Sequence, residues 1–279
     1  MSTEITYRDY LAEENLPHFW CPGCGYGVIV RGIATSLAEL KLPKNKVVVV
    51  SGIGCWGKAD DYLSTNTMHG THGRALAFAT GIKAARPELT VIAIMGDGDT
   101  ANIGGNHFIH AARRNLDITA IVANNYCYGM TGGQFSATTP AGKRSSTTVA
   151  GNAECGFDLC RLADVAGANY VARTTVYHVR QIPQMITEAI SKPGFSMVEV
   201  LSTCPTFYGR LNGMASPIEM LKWIREYCVT IEKFEEMTAE ERAGRLAIGR
   251  FIDQGRPDFM TEYVRLNGND QIAWESLLA

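Results

Sequence analysis

Short apolar runs alternate with helical patterns along the chain, and this alternation most limits the folds it can adopt. Strands are predicted at residues 46–50, 90–95, 117–123, 170–174 and 195–200, with helices at 26–41, 73–86, 104–114, 156–166 and 178–191. Within each run, apolar residues follow one another almost without interruption, instead of every second residue being polar. This is expected for parallel strands that are buried on both faces. The order predicts an α/β fold with a doubly wound, mostly parallel sheet.

The pattern weakens after Cys204, and a division of the chain follows from this change. We predict an α/β domain over residues 1–210 and a peripheral helical extension over 211–279, with charged helices at 216–235 and 238–253. The extension is expected to pack on the same domain or on a partner subunit.

Composition excludes several classes of function. Apolar residues make up 46% of the 279 residues, and 26 Lys and Arg face 28 Asp and Glu, a net charge of −2. This balance gives no electrostatic reason to expect nucleic acid or an anionic membrane as partner. The apolar runs are too short to span a bilayer, and the polar, acidic start MSTEITYRDYLAEENL is unlike a signal peptide. We therefore expect a cytoplasmic protein.

Unusual sequences directly follow four of the predicted strands. These are SGIGC at 51–55, GDGDT at 96–100, NNYCYGMTGG at 124–133 and STCPTF at 202–207. In open α/β sheets, ligands bind at the carboxyl ends of the strands. The sequence therefore predicts one site built from four strand ends.

The GDG sequence places Asp97 between Gly96 and Gly98 at a strand end. A lone GDG is more often a tight turn whose aspartate caps a helix. Here Asn125 follows the next strand, and carboxylate, amide and backbone carbonyl oxygens suit a Mg²⁺ ion that also binds phosphates. This arrangement resembles the thiamine diphosphate fingerprint, GDG followed by NN. The resemblance implies that Asp97, Asn125 and the backbone carbonyl of Cys127 bind Mg²⁺.

The CPGC sequence brings Cys21 and Cys24 close together, in a chain with eight cysteines. Cysteine clusters in a reducing compartment point to metal binding or catalysis. A CxxC pair alone fits zinc, a redox dithiol or haem attachment, although haem attachment would need histidine where Gly25 stands. Cys55 and Cys204 follow predicted strands and complete a set of four thiolates.

Four thiolates suit either zinc or a [4Fe–4S] cluster by ligand type alone. Cys155 and Cys160 form a second pair that would serve as alternative partners in a zinc site. A site beside thiamine diphosphate has little use for redox-inert zinc, whereas a cluster there can accept electrons. This argument favours the cluster.

Six motifs in fixed order carry a closer resemblance. WCPGCGYG, SGIGC, THGRALAFATGIK, MGDGD, NNYCYGMTGGQ and STCPTF occur over residues 20–207. The chain resembles the thiamine-diphosphate-binding β subunit of the 2-oxoacid:ferredoxin oxidoreductases of the single-cluster type. HGTHGR and YGMTGGQ resemble the 2-oxoglutarate branch more than the pyruvate branch.

The resemblance implies a set of site residues. The ligands of one [4Fe–4S] cluster would be Cys21, Cys24, Cys55 and Cys204. Residues that would contact thiamine diphosphate are Ile53, Gly54, Cys55, Trp56, His72, Gly96, Gly98, Asp99, Gly129, Met130 and Thr131.

The implied reaction converts 2-oxoglutarate, coenzyme A and oxidised ferredoxin to succinyl-CoA, CO₂ and reduced ferredoxin, and is reversible. An α subunit would supply the pyrimidine-binding domain with its activating glutamate, so no certain catalytic residue is expected in this chain. The alternatives are a pyruvate:ferredoxin oxidoreductase β subunit, or a subunit of a non-oxidative thiamine diphosphate enzyme with structural zinc. A zinc-stabilised regulatory protein with a degenerate cofactor fold is a third possibility.

Overall fold

A computed structural model describes residues 5–267, and its centre is a mostly parallel sheet. The strands are β1 (Val47–Ser51), β2 (Asn66–His69), β3 (Thr90–Gly96), β4 (Thr119–Asn124), β5 (Cys127–Tyr128), β6 (Gln134–Phe135), β7 (Tyr170–Thr175), β8 (Ser196–Leu201), β9 (Cys228–Thr230) and β10 (Leu246–Asp253). Within the described residues, the main sheet runs β2-β1-β3-β4-β8-β7-β10-β9, while β5 and β6 form a separate antiparallel pair. Every pairing in the main sheet is parallel except that of β10 with β7.

Helices cover both faces of the sheet, as the doubly wound prediction requires. They are α1 (Tyr26–Glu39), α2 (Ala75–Ala85), α3 (Gly105–Arg114), α4 (Leu159–Ala166), α5 (Gln181–Ser191), α6 (Pro217–Tyr227), α7 (Ile231–Glu236), α8 (Ala239–Arg242) and α9 (Phe259–Leu266). Helices α1 and α5 contribute Ile29, Ile33, Leu37, Ile182 and Ile186 to the buried core on one face. Helices α2, α3 and α4 contribute Leu76, Ala79, Phe108, Ala111 and Leu159 to the core on the other. The predicted fold class is confirmed.

The C-terminal part differs from its prediction. The predicted helix at 238–253 is wrong because residues 246–253 form β10, which joins the main sheet. The predicted helix at 216–235 is interrupted, since α6 ends at Tyr227 and β9 precedes α7. Free backbone groups on the edge of β7 favour a strand there more than local sequence favours a helix. The division at residue 210 stays a prediction.

Over residues 5–267, helices fall short of the length and apolar character needed to cross a membrane.

Candidate functional site

The four strands that precede the unusual sequences are neighbours. Strands β1, β3, β4 and β8 lie side by side in this order, all parallel, so their carboxyl ends share one edge of the sheet. The chain reverses its direction of winding here, because β2 lies on the other side of β1 from β3. Such a switch point opens a crevice between the loops. The prediction that four strand ends meet is confirmed.

A first cavity lies over the ends of β1, β3 and β4, and we call it the diphosphate cavity after the ligand group predicted there. All the predicted cofactor-contacting residues line it: Ile53, Gly54, Cys55, Trp56, His72, Gly96, Gly98, Asp99, Gly129, Met130 and Thr131. The predicted Mg²⁺ ligands Asp97, Asn125 and Cys127 line it as well. Tyr26 and Tyr128 also line the cavity; they stand within the WCPGCGYG and NNYCYGMTGGQ motifs, but the sequence analysis assigned them no contact.

Asp97 is a buried carboxylate held by hydroxyl groups. Only 2% of the residue is exposed. Its Oδ2 accepts hydrogen bonds from the hydroxyls of Ser136 and Thr138, the second at 2.7 Å. Burial raises the pKa of Asp97 to about 6, although these two hydroxyls lower it. A desolvated carboxylate near its pKa gains from a neighbouring cation, because the cation favours the charged form.

The loop after β4, which carries the predicted Mg²⁺ ligand Asn125, contains a backbone outlier. Asn125 is 4% exposed, and its Oδ1 accepts a hydrogen bond from the backbone N–H of Cys127 at 3.3 Å. Between them, Tyr126 has a φ of 62°. This left-handed conformation is costly for a bulky residue and is concentrated at functional sites.

Asp99 holds the imidazole ring of His72. Its Oδ1 lies within hydrogen-bond distance of His72 Nδ1 and accepts from the backbone N–H groups of Gly73 at 2.6 Å and Ile53 at 3.4 Å. The other oxygen lies so close to Gly52 that a Cβ atom there would overlap it. Asp99 therefore fixes the loops after β1 and β2 and sets the orientation of His72.

The donor set fits a Mg²⁺ ion that carries phosphate groups. One carboxylate and one amide side chain converge, and this mixture of oxygens is what Mg²⁺ prefers in proteins. Gly96 and Gly98 let the backbone approach a ligand closely. The ring of Tyr128 already lies over Gly98, where an added Cβ would come within 2.5 Å of it.

A second cavity, of about 260 Å³, contains all four predicted cluster ligands in its lining. We call it the cysteine cavity; it is lined by Cys21, Cys24, Cys55 and Cys204 together with Phe19, Trp20, Tyr26, Asn125, Gly129, Met130, Thr203, Pro205, Thr206 and Phe207. The CPGC loop is tied to the end of β8, because the hydroxyl of Thr203 donates to the carbonyl of Gly23 at 2.6 Å.

Electrostatics shows how crowded these thiols are. Burial, together with a smaller contribution from the thiols of Cys204 and Cys21, raises the pKa of Cys24 to about 12 and that of Cys55 to about 11. The pKa of Cys204 is lowered to about 7, chiefly by a hydrogen bond from the Cys127 thiol. Thiolates gathered in so poorly solvated a place need positive charge beside them, and metal ions supply it.

The thiols surround a cavity rather than a point. Within residues 5–267, no three His, Cys, Asp or Glu side chains are arranged to hold a single metal ion. The alternative zinc partners are not brought to the site: Cys155 is exposed, whereas Cys160 is buried with its sulfur 3.5 Å from Glu199 Oε2. A four-thiolate set around a cavity fits a multi-atom cluster better than one tetrahedral ion with Zn–S bonds of about 2.3 Å.

The two cavities share a wall. Tyr26, Cys55, Asn125, Gly129 and Met130 line both of them. A Cβ atom added to Gly129 would lie 3.4 Å from Cys55 Sγ and 3.8 Å from Cys204 Sγ. A ligand in the diphosphate cavity would thus lie next to whatever the four thiols bind.

Comparisons with known proteins identify relatives of this chain. Residues 52–200 match the family model of the thiamine pyrophosphate enzyme C-terminal, TPP-binding domain. The chain is 46% identical over 257 residues to the 2-oxoglutarate synthase subunit KorB of Methanocaldococcus jannaschii, a match that covers 92% of this chain and 95% of the relative. It is 51% identical over 220 residues to the protein of the same name from Archaeoglobus fulgidus, covering 79% of this chain and 80% of the relative.

A solved structure gives the same result. The 2-oxoglutarate:ferredoxin oxidoreductase from Magnetococcus marinus, solved with 2-oxoglutarate, coenzyme A and succinyl-CoA bound, superposes with a TM-score of 0.84 and 30% identity. The match covers 99% of this chain and 96% of the other. The chain therefore belongs to the family of thiamine-diphosphate-binding β subunits of the 2-oxoacid:ferredoxin oxidoreductases.

Proposed function

We propose that this chain is the β subunit of a 2-oxoglutarate:ferredoxin oxidoreductase that binds thiamine diphosphate, Mg²⁺ and one [4Fe–4S] cluster. With an α subunit, the complex converts 2-oxoglutarate and coenzyme A to succinyl-CoA and CO₂ and passes the electrons to ferredoxin. The shared wall of the two cavities carries this proposal, because it brings the predicted diphosphate ligands and the four thiols together. The names and bound ligands of the relatives support the choice of substrate.

The residues of the diphosphate cavity would hold the coenzyme in place. Asp97, Asn125 and the carbonyl of Cys127 would bind Mg²⁺, and the ion would neutralise the diphosphate. The Nδ1 atom of His72 lies within hydrogen-bond distance of Asp99, which leaves its Nε2 atom available for an oxygen of the ligand. When bound, thiamine diphosphate supplies the electron sink for decarboxylation, and the cluster supplies a one-electron acceptor.

The proposal includes a partner chain and a location. The α subunit would supply the pyrimidine-binding domain, the activating glutamate and most contacts to substrate and coenzyme A. A cytoplasmic location is part of the proposal, because free thiols persist in a reducing compartment.

Anaerobic co-expression with the α subunit, followed by viologen reduction over a panel of 2-oxoacids, tests the proposal. We expect a brown complex that contains iron and turns over 2-oxoglutarate fastest, with the isolated chain inactive. Cys55→Ala should abolish viologen reduction, whereas the exposed Cys155→Ala serves as a matched control and should leave it unchanged. A colourless complex that contains zinc, or turnover by the isolated chain, would refute the proposal.

A further inference from the structure

Residues 136–139, which we call the brace segment, connect the two loops that carry the predicted metal ligands. Ser136, Thr138 and Thr139 are each at most 3% exposed, although their side chains are polar. Buried hydroxyls need hydrogen-bond partners, so their partners reveal what the segment holds. Those partners belong to the loops after β3 and β4.

The brace segment is bonded to the loop after β3 at two points. The hydroxyls of Ser136 and Thr138 both reach Asp97 Oδ2. The backbone N–H of Ala137 donates at 2.7 Å to Asn102 Oδ1, in the short π-helix Gly98–Ile103 that directly follows Asp97. The Asp97 carboxylate therefore cannot rotate without breaking these hydroxyl contacts.

The brace segment is also bonded to the loop after β4. Thr138 Oγ1 lies 3.2 Å from Asn124 Oδ1, the residue before the predicted ligand Asn125. The hydroxyl of Thr139 donates to the carbonyl of Tyr126 at 2.7 Å and accepts from the N–H of Ser136 at 2.9 Å. It thus holds the backbone of the left-handed residue that separates Asn125 from Cys127.

We propose that Ser136, Thr138 and Thr139 are positioning residues that set the separation and orientation of the metal ligands on these two loops. They would act through Asp97 and Tyr126, without touching the metal or coenzyme themselves. Groups that hydrogen-bond to metal ligands fix ligand geometry, and their loss costs about 10–100-fold in metal affinity. The inference rests on the proposed function, since it assumes that Mg²⁺ binds between Asp97 and Asn125.

The test measures Mg²⁺ affinity rather than turnover. The apo αβ complex is titrated with Mg²⁺ at saturating thiamine diphosphate, by calorimetry and by tryptophan fluorescence, to which Trp56 in the lining of the diphosphate cavity contributes. Thr138→Val removes the hydroxyl at nearly constant volume, whereas Thr138→Ser keeps it. We expect Thr138→Val to weaken Mg²⁺ binding about 10–100-fold and Thr138→Ser to restore most of the affinity.

Two further variants separate positioning from a general loss of structure. Ser145 is equally buried, but among residues 5–267 its hydroxyl bonds only to Thr147 and Thr148 of its own loop. Ser145→Ala should therefore leave Mg²⁺ affinity unchanged. Thr139→Val repeats the test on the other loop if Thr138→Val does not fold. Unchanged Mg²⁺ affinity in both valine variants, or an equal loss of affinity in Ser145→Ala, would overturn this inference but leave the proposed function standing. Failure of the wild-type complex to bind thiamine diphosphate with Mg²⁺ would overturn the proposed function with it.

Discussion

Asp97→Asn should stabilise the apo protein while abolishing metal binding, and these opposite effects test the role of this carboxylate. In the folded chain the pKa of Asp97 is raised to about 6 from an ordinary value of 3.8. A raised carboxyl pKa means that the folded state binds the proton more tightly than the unfolded state. The stability that this proton contributes is present below about pH 4 and is lost as the pH rises through about 6.

The size of the effect follows from the shift. About two pKa units correspond to about 3 kcal/mol at neutral pH, because one unit is worth about 1.4 kcal/mol. The amide keeps an oxygen that can accept from Ser136 and Thr138, but its NH₂ group requires a new partner. We therefore expect a gain of about 1–3 kcal/mol at pH 7.5, which raises Tm by roughly 2–10 °C.

Thermal unfolding of the apo αβ complex at pH 7.5 and pH 4.5 measures the effect. The gain should shrink at the lower pH, where wild-type Asp97 is protonated. Asp164→Asn makes the same chemical change at an exposed position and should shift stability by less than about 0.5 kcal/mol. Mg²⁺ with thiamine diphosphate should stabilise the wild type by mass action but not Asp97→Asn. A variant less stable than wild type at pH 7.5, or a gain independent of pH, would refute the reasoning.

Two other changes, each paired with a second substitution, probe the core and the site. Arg173→Met removes a 1% exposed guanidinium whose Nε donates to Glu199 at 2.7 Å, and the buried carboxylate left behind should cost about 3–5 kcal/mol in urea unfolding. Adding Glu199→Gln should recover part of that loss, and additive losses would show that the pair is not coupled. Gly98→Ala should push the ring of Tyr128 aside and weaken thiamine diphosphate binding about tenfold, consistent with an overpacking cost of about 1–3 kcal/mol. Adding Tyr128→Ala to this variant should restore thiamine diphosphate binding, which calorimetry measures. If the double variant binds no better than Gly98→Ala, the steric argument is contradicted.

The sequence predicted the central strands well because each is a continuous apolar run. In the main sheet it missed β2, β9 and β10, which lie toward the sides of the sheet and are partly exposed. Their sequences carry a weak local signal, and pairing with a neighbour decides their conformation.

For the site, too, residues that stand in motifs were predicted from the sequence, whereas residues recognised only by their contacts in the folded chain were not. Asp97, Asn125 and the cysteines stand in motifs with fixed spacing, and the structure brings them to two adjoining cavities. Ser136 and Thr138 were not found, because isolated hydroxyl residues in a loop are common and only the folded chain shows what they contact.

The placement of the functional loops on β1, β3, β4 and β8 has a consequence for local opening of the domain. These strands lie inside the sheet, with β2 on one side and β7, β10 and β9 on the other. Amide hydrogens exchange first where little free energy is needed to open the backbone, and the outermost strands meet that condition. Fraying that enters from the β9 margin can therefore leave the loops predicted to hold the coenzyme intact. Fraying of β2 would reach the loop that carries His72 first.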